Sequence, residues 1–159
     1  MSMMKALNTQ CQHGFGLLEI LITVVVLGIG LLGLAGLQAT GLNFNHSAYN
    51  RSQATTLAYD MIDRMRANPA AINSYTGAPA QTANCVAVAG CTPVQMALHD
   101  VWEWNNTIDA TLVPGGVAAG AAGTITLNGA VFTISITWDE NRDGIVNGTD
   151  PNFQVSFQP

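Results

Sequence analysis

Basic side chains are scarce in this sequence, with 5 Lys+Arg against 10 Asp+Glu in 159 residues. A surface that offsets phosphate charge needs clustered lysine and arginine, so nucleic-acid binding is excluded as the main role. Charge of either sign is low, 9% of residues, where an average soluble domain has about 25%. With 48% hydrophobic residues beside it, that deficit excludes a disordered chain, which combines high charge with low hydrophobicity. Catalytic motifs are missing too. There is no Gly-x-Ser-x-Gly elbow and no His-Glu-x-x-His pair, so no enzyme is expected. The length allows one small domain and not two.

What is present is concentrated near the amino terminus. Residues 20 to 50 carry no formal charge, and Ile20 to Leu37 is continuously apolar apart from the hydroxyl of Thr23. A helix from Phe15 to Leu37 would span roughly 34 Å, enough for a hydrocarbon core of about 30 Å. A removable secretory signal has a shorter apolar region behind several basic residues. Here the leader holds Lys5 alone, and the polar stretch Asn8-Thr9-Gln10-Cys11-Gln12-His13 precedes the apolar run. One membrane span is expected. No second stretch approaches this length, which excludes a multi-span channel.

The junction Gly14-Phe15-Gly16-Leu17-Leu18-Glu19, followed at once by the apolar run, resembles the class III signal of type IV pilins and pseudopilins. The resemblance implies cleavage after Gly14 by a prepilin peptidase and methylation of the new amino terminus at Phe15. It also implies that Glu19 pairs with that amino terminus, in the same or a neighbouring subunit, during assembly. Read without the motif, Glu19 fits a helix N-terminal acid among lipid headgroups, favoured by the dipole. A carboxylate deeper in the bilayer costs roughly 2.5 to 3.5 kcal/mol and normally has a partner.

Cleavage would remove Lys5 and Cys11, leaving Cys85 and Cys91. Two cysteines on the translocated side of a membrane favour a disulfide. A metal pair or a redox dithiol would want the tighter Cys-x-x-Cys spacing.

Downstream, Ala54, Leu57, Ala58, Met61, Ile62 and Met65 recur at spacings of three and four. They predict that the helix continues to Asn68 with one face turned to a globular head. Asp60 and Arg64 are spaced for a helical ion pair. Gly28, Gly30, Gly33 and Gly36 fit equally the ordinary tolerance of glycine in a span and a segment built for close packing or partial unwinding. Ser74 to Gly90 reads as loop, and Thr92-Pro93 as the cap of a short helix running to about Ile108. Leu112-Val113-Pro114-Gly115-Gly116 should end that helix, with Val117 to Gly123 a loop. Of Trp102 and Trp104, one should enter the core and the other sit at its margin. Thr124 to Leu127, the Asn128-Gly129 turn, Val131 to Trp138 and Phe153 to Phe157 predict three antiparallel strands.

The expected fold is α+β: a long N-terminal helical spine, its first half transmembrane, packed on a small antiparallel sheet as in type IV pilins. Its segments are 1–14, a leader; 15–38, the span; 39–69, the amphipathic half of the helix; and 70–159, a periplasmic head. Gly30 to Gln38, Arg51 to Ala54, Leu57 to Pro69, Asp100 to Trp104, Pro114-Gly115-Gly116 and the strand ending in Trp138 are similar to the minor pilins of the pilus-modification group. That resemblance implies a structural subunit that primes or modifies a type IV pilus and serves adhesion or motility. Its partners would be other major and minor pilins, the prepilin peptidase and the inner-membrane assembly platform. It would reside first in the bacterial inner membrane with a periplasmic head, then in the extracellular pilus. A minor pseudopilin of a type II secretion system and a membrane-anchored binding module that never polymerises are the alternatives.

One further motif stands between the last two strands. Asp139, Asn141, Asp143, Asn147 and Asp150 fall at the first, third, fifth, ninth and twelfth places of a loop with Gly144 at the sixth. Such spacing matches EF-hand calcium loops and is closer to dockerin-type repeats, with Ile145 offering its backbone carbonyl. A calcium ion held by these six residues is expected. The bland reading is an acidic turn, since Asp, Asn and Gly are the usual turn residues.

Overall fold

The structure, a computed structural model, describes residues 16–87, 90–112, 120–141 and 143–159. The expected cleavage residues Gly14 and Phe15, the leader with Lys5 and Cys11, the Pro114-Gly115-Gly116 breaker and Arg142 lie outside the described residues. The first helix, α1, runs Leu17–Ala67; two 3-10 helices, Pro69–Thr76 and Ala83–Val86, precede α2, Pro93–Leu112; the strands are β1 (Ala122–Asn128), β2 (Val131–Thr137) and β3 (Asn152–Phe157). The chain divides between Phe44 and Asn45 into two compact units.

In the first unit α1 exposes its apolar side chains from Leu17 to Leu37. Among the described residues it is the one helix long and apolar enough to cross a membrane. Its hydroxyls are satisfied internally, Thr23 Oγ1 donating to the Ile20 carbonyl at 2.8 Å and Thr40 Oγ1 to that of Gly36 at 3.1 Å. That local bonding suits a segment in lipid, where water cannot serve these groups. Gly28, Gly30, Gly33 and Gly36 border open space.

The second unit is built around one core. Ala54, Ala58, Met61, Ile62 and Met65 of α1 join Ala97, Val101, Trp104 and Ile108 of α2 and Ile125, Phe132, Ile134 and Ile136 of the sheet in a single apolar cluster. The predicted helix face is the buried one, with Leu57 at its margin and Asn50 added to it. Trp104 is 1% exposed and its indole N–H donates to the Leu57 carbonyl at 2.9 Å. Trp102 stays half-buried and stacks on His99. One tryptophan therefore enters the core and the other marks its edge, as the spacing requires. Gly123 makes the Trp104 position possible, because the indole ring lies where a Cβ at residue 123 would be.

The α2 start is a capping box. Thr92 Oγ1 accepts the Gln95 N–H at 3.3 Å, and Gln95 Oε1 accepts the Thr92 N–H at 3.0 Å. The helix runs one turn beyond Ile108, to Leu112, because Leu112 continues the buried stripe of Val101, Trp104 and Ile108. The stretch expected as loop from Ser74 instead contains the end of the first 3-10 helix and all of the second. Tyr75 explains the first of these, since the tight turn seats its ring in the core.

The sheet order is β1-β2-β3, antiparallel throughout. Asn128 pairs with Val131 across a turn in which Gly129 takes φ +62°, the left-handed value such hairpins need. The β2 to β3 register closes at Thr137 opposite Asn152, so the candidate calcium loop hangs from that pair. The outer sheet face is hydroxyl-rich and uncharged, with Thr133 and Ser156 in contact at 2.8 Å and Ser135 donating to Asn152 at 2.8 Å.

Candidate functional site

Glu19 occupies the first turn of α1 and is exposed. Its backbone N–H bonds the Gly16 carbonyl at 2.9 Å and that of Ile20 reaches the same oxygen at 3.4 Å, so the helix starts at this motif. Glu19 and Arg51 bound an uncharged run, so a carboxylate stands alone at the mouth of a long apolar helix. It sits where the helix dipole favours an anion.

The second unit carries a charged node that periodicity alone showed only in part. Arg64 Nε donates to Asp60 at 2.9 Å, the expected helical pair, and its Nη1 reaches Glu103 at 2.6 Å and Asp100 at 3.5 Å on α2. The Tyr75 hydroxyl lies 2.8 Å from Asp100 and 3.2 Å from the Arg64 carbonyl, tying in the first 3-10 helix. Burial of Arg64 works against its charge, yet hydrogen bonds and attraction from Glu103 and Asp60 carry its pKa above the ordinary value. The Arg64 hydrogen bond holds Glu103 below the usual carboxylate range, and burial, with Asp100 beside it, pushes the Tyr75 phenol up. The Asp60–Arg64 spacing was the sequence signal for this node, and nothing in the sequence names Asp100 and Glu103 as further partners of Arg64. The arrangement locks three elements together; it is not a proton-transfer site, because each acid faces a permanent cation or a phenol held neutral.

Cys85 and Cys91 form a disulfide with Cα atoms 4.8 Å apart. The bridge closes a small loop ahead of α2, and the Thr82 N–H donates to His99 Nδ1 at 3.2 Å, fixing the approach to it. Closing so short a loop contributes about 2 kcal/mol in the chain-entropy picture. Thiol labelling of the unreduced, denatured protein is expected to leave both cysteines unmodified, with reduction lowering unfolding stability by about that amount. Labelling of both without reductant would contradict the bridge.

In the 139–150 loop the oxygens are turned onto the loop's own backbone. Asp139, 4% exposed, accepts the Gly144 N–H at 2.8 Å, and Gly144 takes φ +85°. Asn141 Oδ1 accepts the Asp143 N–H at 2.8 Å, and Asp143 Oδ1 that of Ile145 at 2.9 Å. Asp150 Oδ2 accepts the Asn147 N–H at 2.8 Å, while Asn147 Oδ1 accepts the Thr149 N–H at 2.9 Å. These contacts are local, and among the described residues no three of Asp, Glu, His or Cys gather around a common point.

Two family models match the sequence. The prokaryotic N-terminal methylation motif covers residues 9–35, and Type IV pilin Tt1218 covers residues 36–102. Comparisons with the curated proteins and with the solved structures found no match. The first model spans the Gly14-Phe15 junction and most of the apolar run, the second the rest of α1 and half of α2. With a long apolar N-terminal helix and a small three-stranded antiparallel sheet beside those matches, the chain belongs to the type IV pilins.

Proposed function

We propose that this pilin is a minor subunit of a type IV pilus, similar to the PilV group, which primes or modifies the filament and serves adhesion or motility. The observation that carries the reading is Glu19, a lone acid in the first turn of an exposed apolar helix. An apolar helix of this kind packs among like helices once it leaves the lipid, and a single unpaired carboxylate sets its register against a neighbour's new amino terminus. Cleavage between Gly14 and Phe15 by a prepilin peptidase, and methylation of Phe15, supply that amino terminus. The segment 15–38 then spans the inner membrane, 39–69 is the amphipathic half, and 70–159 is the periplasmic head until an assembly platform draws the subunit among other major and minor pilins. The role is structural rather than catalytic.

Mass spectrometry of the mature amino terminus, on protein recovered from sheared pili, tests the whole reading. A methylated Phe15 in the filament fraction is the expected result. An intact leader would overturn it, and recovery with a secretion apparatus instead of pili would favour the pseudopilin alternative.

The 139–150 loop is proposed as a structural calcium site. Support comes from its donor set, since carboxylate, amide and carbonyl oxygens from Asp139, Asn141, Asp143, Ile145, Asn147 and Asp150 are the hard ligands calcium takes. Titration calorimetry of the full chain in detergent should give a dissociation constant on the order of 0.1 to 1 mM. The melting temperature should rise as calcium saturates the native state. No calcium heat, together with a melting temperature that calcium does not move, would leave the loop as a turn.

A further inference from the structure

Two asparagines of the second unit, Asn128 and Asn147, are each followed by glycine. Two asparagines, Asn141 and Asn147, accept through Oδ1 the backbone N–H two residues on, at 2.8 and 2.9 Å. Among the described residues Asn147 alone combines both features. Each matters to the same chemistry. Glycine puts no side chain beside its own nitrogen, so Gly148 leaves that atom open to attack a neighbouring carbonyl. The contact to Thr149 folds the Asn147 side chain back along the chain, over the intervening Gly148 peptide.

A third feature activates the carbonyl. Thr149 Oγ1 lies 2.6 Å from the same Asn147 Oδ1 that accepts the Thr149 N–H. Two donors therefore already face the oxygen on which negative charge would develop if a nucleophile added to Cγ. The Asn147 amide nitrogen donates only a long bond, 3.3 Å, to the Ile145 carbonyl, and residues 147 to 149 are exposed, so water can protonate a departing amine.

We propose that Asn147 is a self-modifying site. Hydroxide removes the Gly148 N–H proton, and the nitrogen attacks Asn147 Cγ. The Gly148 N–Cγ bond forms, the Cγ–Nδ2 bond breaks, and Nδ2 leaves as ammonia with a proton returned from water. The product is a cyclic imide, which one water molecule opens at either carbonyl to leave aspartate or isoaspartate at position 147. No oxidant or reductant is involved. The change adds one negative charge between Asp143 and Asp150, and the isoaspartyl form also lengthens the backbone of the loop.

The test is a time course on the full chain in detergent, at mildly acid and mildly alkaline pH, read by peptide mapping with mass spectrometry and chromatographic separation of the two acid products. Conversion at Asn147 is expected to exceed that at Asn128 and Asn141 by roughly tenfold, combining open approach with a preset geometry. It should speed up with pH. Gly148→Ala meets nothing within 4 Å at its new Cβ, so the loop should keep its shape while conversion falls by roughly tenfold. Thr149→Val keeps the backbone donor and removes the hydroxyl, slowing conversion about fivefold, a modest share of what one such donor is worth in a buried site. In denaturant the advantage of Asn147 over Asn128 should vanish. Equal or faster conversion at Asn128 in the folded protein overturns the proposal, as does an unchanged rate in Gly148→Ala or an advantage that survives unfolding.

Discussion

Glu19→Ala is expected to leave the protein in the membrane fraction but to lower its recovery from sheared filaments. The apolar helix still inserts, because losing a carboxylate makes the segment more apolar and costs nothing in lipid. The head still folds, because its core cluster begins at Ala54 and uses no residue from the first unit. In the proposed assembly role, what is lost is one charge-assisted contact between subunits, worth about 1.5 to 3 kcal/mol. That corresponds to roughly a tenfold to hundredfold drop in recovery from filaments. Glu19→Asp should restore part of it and Glu19→Gln little, a ranking that separates charge from size. Equal recovery of Glu19→Ala and the parent protein in sheared pili would remove Glu19 from assembly.

Trp104→Ala is the substitution expected to damage the head most. The indole is buried against Gly123, and its N–H is bonded to the Leu57 carbonyl on α1. Truncation opens a cavity where α1, α2 and the sheet meet, and a buried tryptophan reduced to alanine costs about 3 to 5 kcal/mol. Against a typical domain stability of about 5 to 15 kcal/mol, that leaves the head marginal. Trp104→Phe keeps most of the apolar area and gives up the hydrogen bond, so it should cost clearly less. Thermal and denaturant unfolding of the three proteins measures the ranking. A Trp104→Ala protein as stable as the parent would mean that the neighbouring chain collapses into the space without strain.

Apolar periodicity made the elements legible and left their mutual contacts dark. Met61, Ile62 and Met65 announced a buried face because a helix repeats every 3.6 residues, and the Asn128-Gly129 turn fixed the first hairpin because few dipeptides tolerate it. The signal around Glu19 was readable because the apolar run beside it is long. The Arg64 node was hidden, for an arginine with one acid four residues away looks complete, and only tertiary packing brings Asp100 and Glu103 to it. Gly123 was equally silent. A glycine at the head of a strand reads as a weak position until the ring of Trp104 is seen to occupy the place of its side chain. The 3-10 turns at Pro69–Thr76 escaped because their core contacts, Ala71, Ile72 and above all Tyr75, fall in too short a stretch for a helical or strand period to show.

The loop between β2 and β3 is anchored by features that do not depend on its length. Trp138 and Asp139 are buried at one root, and the Thr137 to Asn152 pair closes the ladder across both. Beyond that clasp, doubling the number of residues costs only about 0.6 kcal/mol in chain entropy. The exposed tip near Gly148 is thus a natural insertion port. An epitope or a dye-reactive tag placed there would leave the sheet register untouched and report where the subunit lies in an intact filament.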